Sequence, residues 1–190
     1  MAAGSRSTFD PPPGEASNHF ALLGLPVAHA IDAAALERGY RDLQSRVHPD
    51  KFALASPVER RLAMQWATRA NEAFRTLRDP LARARYLLQL KGFDTEEESN
   101  TSMPADFLMQ QMEWREAVVE ARASRNAQAL AGLSSDIAGA GDEMLGQLAK
   151  ALDRDANYGA GCSLVRKLRF VEKLAGEIDE ALEGLREESA

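Results

Sequence analysis

The chain has 190 residues, of which 45% are hydrophobic and 27% charged, and its formal net charge is −6. This is the balance of a soluble globular protein with room for one domain or two small ones. No run of about 18 apolar residues is present to span a bilayer, and no basic start followed by an apolar stretch marks a secretory signal, so a cytoplasmic protein without membrane contact is expected.

The sign of the charge changes along the chain. Residues 35–91 hold 12 Lys and Arg against 6 Asp and Glu, whereas residues 92–190 hold 10 against 20. Either the two halves meet different partners, or both signs are simply solvated helix faces. The basic half lacks interleaved aromatic and basic residues and any reader motif, so no nucleic acid is expected as a partner. The single cysteine, Cys162, excludes an intramolecular disulfide. His19, His29 and His48 are too scattered for a metal spacing, and no glycine loop cradles a phosphate. Neither metal nor cofactor is therefore expected.

Residues 1–17, with Pro11, Pro12 and Pro13, read as a disordered tail. From Asn18 onward the pattern is helical. A short helix, Phe20–Leu23, ends at Gly24 and Pro26. Asp32 caps a second helix with the apolar stripe Leu36, Tyr40, Leu43 and Val47, and Arg38, Arg41 and Ser45 share another face. Pro49 disfavours helical backbone at His48, so this helix is predicted to stop near Val47. Ser56 and Glu59 form a capping box, with Pro57 at the tolerated first position. The third helix that follows has the stripe Leu62, Trp66, Ala70, Ala73, Phe74 and Leu77, with Trp66 and Phe74 read as core. Asp79-Pro80 ends it and opens a fourth helix running to Gly92.

The acidic, polar segment 93–102 reads as a linker between a first domain, 18–92, and a second, 103–190. Three longer helices follow. The first starts near Pro104 and carries Phe107, Leu108, Met112 and Val119. The second, from about Asn126, carries Leu130, Leu133, Ile137, Met144, Leu148 and Leu152; Gly139 and Gly141 leave open a break between Ala138 and Asp142. The last carries Leu164, Leu168, Val171, Leu174, Ile178, Leu182 and Leu185. Short connections favour an antiparallel three-helix bundle. The fold class is all-α, a helical hairpin domain followed by that bundle.

Two amphipathic helices joined by a loop containing His48-Pro49-Asp50-Lys51 resemble a J-domain from Phe20 to Leu77. The resemblance narrows to the HscB, or Jac-type, family of J-domain co-chaperones. It is carried by Asn18-His19-Phe20-Ala21-Leu22-Leu23-Gly24-Leu25-Pro26, by Tyr40-Arg41-Asp42-Leu43-Gln44 and by the loop through Phe52. Pro80-Leu81-Ala82-Arg83-Ala84-Arg85-Tyr86-Leu87-Leu88, leading to Gly92-Phe93-Asp94, continues it. Phe107-Leu108-Met109, Glu113, Arg115-Glu116 and Val165-Arg166-Lys167-Leu168-Arg169-Phe170 extend it to about residue 185.

The resemblance implies a non-enzymatic co-chaperone. His48, Pro49, Asp50 and Lys51, with Arg38 and Arg41, would dock on a DnaK-class (HscA-type) chaperone and trigger ATP hydrolysis. Leu108, Met109, Met112, Glu113, Glu116 and Phe170 would bind an IscU-type iron–sulfur scaffold, so that its cluster passes to an acceptor. Without the resemblance, Leu, Met and Phe at helical spacing are ordinarily bundle core. Met109 and Met112 are read as pointing in different directions, which leaves Leu108, Met112 and Phe170 as leading candidates. Two other functions stay open. One is a J-domain protein serving general unfolded clients; the other is an enzyme built on Cys162, whose ordinary reading is a small apolar residue.

Overall fold

The computed structural model describes residues 18–95 and 103–187, and every regular element among them is helical. The expectations for the tail 1–17 and for residues 96–102 of the linker lie outside the described residues. The chain divides into two compact units between Tyr86 and Leu87, inside the fourth helix and ahead of the segment 93–102.

The first unit opens with α1 (His19–Leu22), capped by the Asn18 side chain, which accepts the Ala21 N–H at 2.9 Å. Phe20 and Leu22 are buried. His19 stacks on Tyr86 with centroids 4.2 Å apart, and its backbone N–H donates to the Tyr86 hydroxyl at 2.9 Å. Burial pulls the His19 imidazole pKa below the usual 6.5; Glu72 opposes this and Arg69 adds to it.

Helix α2 (Ala33–Val47) starts where Asp32 accepts the Ala34 N–H at 2.8 Å, and it stops at Val47 as Pro49 requires. Leu36, Leu43 and Val47 are buried. Tyr40 is half-buried and stacks on Phe74 at 4.3 Å, while its hydroxyl donates to Asn71 at 2.8 Å. Gly39 stands in mid-helix for lack of space: an added Cβ would run into the backbone carbonyl of Leu23.

Helix α3 (Pro57–Arg78) begins with the capping box. Glu59 N–H donates to Ser56 Oγ at 3.3 Å, and Ser56 N–H donates to the Glu59 carboxylate at 3.0 Å. The inward face departs from the expected stripe. Ala63, Ala70, Ala73 and Leu77 are buried, Leu62 is exposed, and Trp66 and Phe74 are only half-buried. Alanines fill three of the four buried positions of α3, which packs against α1 and α2, so the bulky rings are left at the margins. There Arg69 lies 4.6 Å over Trp66 and Arg78 5.9 Å over Phe74. Helix α4 (Pro80–Leu90) is opened by Asp79, which accepts the Ala82 N–H at 2.6 Å. It ends at Gly92, whose φ of +80° is left-handed, and Phe93 N–H closes back on the Leu88 carbonyl at 2.9 Å.

The second unit is a bundle of α5 (Ala105–Ala123), α6 (Ala127–Ala149) and α7 (Tyr158–Glu187), with every pair in contact. Its core comprises Phe107, Val118, Ala121, Leu130, Ile137, Val171, Leu174 and Ile178. Of the four residues expected to carry the apolar side of α5, only Phe107 faces inward; Leu108, Met112 and Val119 are exposed. Trp114, Val118 and Ala121 complete the inner face instead, at spacings that return to the same side of a helix. The break weighed at Ala138–Asp142 does not occur. Helix α6 runs through Gly139 and Gly141, and Gly141 is buried where a Cβ would come within 3.4 Å of Val171. Packing against α7 thus overrides low propensity. A π-helical turn, Lys150–Arg154, then buries Ala151 and Leu152 ahead of α7, in which Cys162 is buried. Among the described residues no helix is long and apolar enough to cross a membrane.

Candidate functional site

His48 closes α2 and opens a single 3-10 turn, Pro49–Phe52. Its extended backbone (φ −60°, ψ 126°) is what a residue before proline must adopt. The turn is held from within. His48 Nδ1 accepts the Asp50 N–H at 3.3 Å, and the His48 carbonyl accepts the Lys51 N–H at 3.0 Å. Phe52 is only 6% exposed and anchors the turn, whereas His48, Asp50 and Lys51 stand in solvent.

This hydrogen bonding selects a tautomer. With Nδ1 accepting, the neutral ring carries its proton on Nε2. Asp50 Oδ2 is 3.6 Å from the same Nδ1, so it pairs with the ring only if the imidazole is protonated. The neutral loop therefore offers one N–H donor and one carboxylate side by side.

Arg38 and Arg41 are both exposed on α2. Arg38 lies 3.5 Å from the Asp32 carboxylate, and Arg41 Nε donates to the Glu37 carbonyl at 3.3 Å. A helix rise of 1.5 Å per residue sets them roughly 15 and 10 Å from His48 along the axis. They form a basic track leading to the tip and not one cluster with it. Sequence reasoning passed over Arg46, exposed in the last turn of α2 and 3.3 Å from Asp42, and gave no role to Phe52. The available signal for Phe52 was a lone aromatic inside a polar loop.

In the second unit, Leu108, Met109, Met112, Glu113 and Glu116 all lie on the solvent side of α5. Leu108 and Met112 are thus surface residues and not core. Met109 and Met112 are each 63% exposed, and residues three apart are helix neighbours. The expectation that they diverge is corrected: both belong to one face. Val119, 66% exposed, continues that face and was not assigned to it. Phe170 differs from the rest. It is half-buried against the core, meets Phe107 edge-on at 6.0 Å and lies 5.3 Å beneath the Arg115 guanidinium. The group is thus an exposed apolar face on α5 with a partly sunken aromatic at its edge, joined through Phe107 and Arg115. Contiguous exposed apolar surface of this kind marks interaction sites. Among the described residues no three His, Cys, Asp or Glu side chains gather closely enough to hold a metal ion.

Comparison with known proteins finds relatives along most of the chain. Residues 103–179 match the family model described as the HSCB C-terminal oligomerisation domain. The co-chaperone protein HscB homolog of Aromatoleum aromaticum is 51% identical over 166 residues, covering 87% of this chain and 94% of the relative. That of Bordetella petrii is 52% identical over 163 residues, covering 86% and 95%. Among solved structures, the chaperone HscB from Vibrio cholerae is 36% identical, with a TM-score of 0.77 over 88% of this chain and 99% of its own. The human co-chaperone protein HscB is 26% identical, with a TM-score of 0.82 over 94% and 92%. With 51% identity over 87% of its length, and with the same helical architecture, the chain belongs to the HscB family of co-chaperones.

Proposed function

We propose that the chain recruits a DnaK-class chaperone of the HscA type and stimulates its ATPase through His48, Pro49, Asp50 and Lys51 and the Arg38 and Arg41 track. In the same reading it carries an IscU-type iron–sulfur scaffold on the outer face of α5 beside Phe170, and it acts in the cytoplasm. The observation that supports this best is the tip itself, an exposed imidazole and carboxylate on a turn pinned by a buried Phe52. A turn ordered before binding loses little conformational freedom on docking. The basic track raises the on-rate toward an acidic partner and sets its orientation. On α5, an apolar centre of Leu108, Met109 and Met112, flanked by Glu113 and Glu116, has the form of a small protein interface. The chain performs no covalent chemistry; the partner holds and cleaves the ATP.

The test is the steady-state ATPase rate of an HscA-type chaperone with the chain, the scaffold, or both. Stimulation is expected from the chain, with a further increase from the scaffold that a general unfolded protein does not reproduce. His48→Gln is expected to abolish stimulation while the helical signal stays unchanged. A normal rate with that variant refutes the role of the tip.

A further inference from the structure

We infer that the same chaperone is also gripped by a second surface of the first unit, an apolar strip of Leu54, Val58 and Leu62 bordered by Arg61 and Arg69. The inference rests on the co-chaperone reading above and extends its docking surface from α2 onto α3. Leu54, in the loop after the 3-10 turn, is fully exposed at 103%, Val58 is 62% exposed and Leu62 37%. Val58, Leu62 and the half-buried Trp66 succeed one another at four-residue steps and so share a face of α3. A single exposed leucine is ordinary. A row of apolar side chains that begins four residues beyond Asp50 is a surface without a partner inside this unit.

Charge identifies the occupant. From Lys51 to Arg69 the only carboxylate is Glu59, and the capping box on Ser56 occupies it. Arg61, three residues from Val58, and Arg69, three from Trp66, are exposed beside the strip, with the same sign as Arg38, Arg41 and Lys51. A second copy docking strip to strip would set arginine against arginine, which is unfavourable. A partner with acidic groups around apolar side chains satisfies both the strip and the α2 track, and it is the partner that already reaches the tip.

The experiment titrates wild type, Leu54→Ser with Val58→Ser, and Arg61→Glu into an HscA-type chaperone, reading ATPase rate and light-scattering mass. Each variant is expected to raise the half-saturating concentration about five- to tenfold with the maximal rate retained. Melting temperature should hold, because the substituted side chains are exposed. Half-saturation within twofold of wild type, or a lowered maximum, overturns the strip while leaving the tip intact. Wild-type self-association abolished by the serine variant, at unchanged half-saturation, overturns it in favour of a second copy. No stimulation by wild type refutes the co-chaperone reading and the strip with it.

Discussion

Gly39 offers a sharp test because two physical effects predict opposite signs there. Replacing glycine by alanine inside a helix gains up to about 1 kcal/mol from backbone propensity alone. At this position the new methyl would penetrate the Leu23 carbonyl, a backbone group that moves only if α1 moves with it. Phe20, Leu22 and Leu23 are buried, so that shift disturbs packed side chains. Overpacking of this kind costs about 1–3 kcal/mol, so that after a gain of about 1 kcal/mol Gly39→Ala is left less stable by up to about 2 kcal/mol. With a urea slope of about 2 kcal/mol per molar, the unfolding midpoint should fall by up to about 1 M. A Trp114→Phe background makes Trp66 fluorescence the reporter of the first unit. Gly132→Ala, where the added methyl meets open space, is the control, read through Trp114 in a Trp66→Phe background, and should leave the midpoint of the second unit unchanged or raised. A Gly39→Ala midpoint at or above wild type would refute the close α1–α2 approach.

Ser56→Ala removes the N-cap of α3 and should cost about 1 kcal/mol in urea unfolding, with Ser56→Asp recovering most of it; equal stability of wild type and the alanine variant would count against the capping box. Leu108→Ala with Met112→Ala should weaken scaffold binding at unchanged melting temperature, whereas Phe170→Ala should lower both, since only Phe170 packs on the core; a lower melting temperature for the first pair would mark those residues as structural. The His19 pKa is depressed in the fold, so the unfolded chain takes up the proton more readily. The His19 contribution is therefore complete above pH 6.5 and is lost as pH falls below it. The urea midpoint should decline between pH 7.5 and 5.5, and less steeply in His19→Gln; identical slopes would remove His19 as a contributor.

Local chemistry was readable without coordinates. The start of α2 at Asp32, its stop before Pro49 and the Ser56–Glu59 box each depend on residues within a turn of one another, so the pattern alone locates them. Burial was harder. On α3 a leucine lies outside and the adjacent Ala63 inside, because hydrophobicity ranks size while the helix contacts require small residues. On α5 apolar side chains occupy both faces, and periodicity has no basis for choosing between Phe107 and Leu108. The face shared by Met109 and Met112 was available from their spacing and was misread. The persistence of α6 through Gly139 and Gly141 was not available, since it depends on where α7 lies. At the tip the linear motif announced itself, but the burial of Phe52, which holds the turn in place, is a tertiary fact.

The imidazole at the tip is both latch and probe. One of its nitrogens secures the amide two residues ahead, so only the outer nitrogen is left to speak to another molecule, and it speaks as a donor. A complementary surface must therefore bring an oxygen lone pair to that point, together with a cation or amide for the neighbouring carboxylate. Asparagine at the same place retains the latch through its own carbonyl yet falls short of the reach. Fastening the loop and addressing the partner are thus separable properties of one side chain.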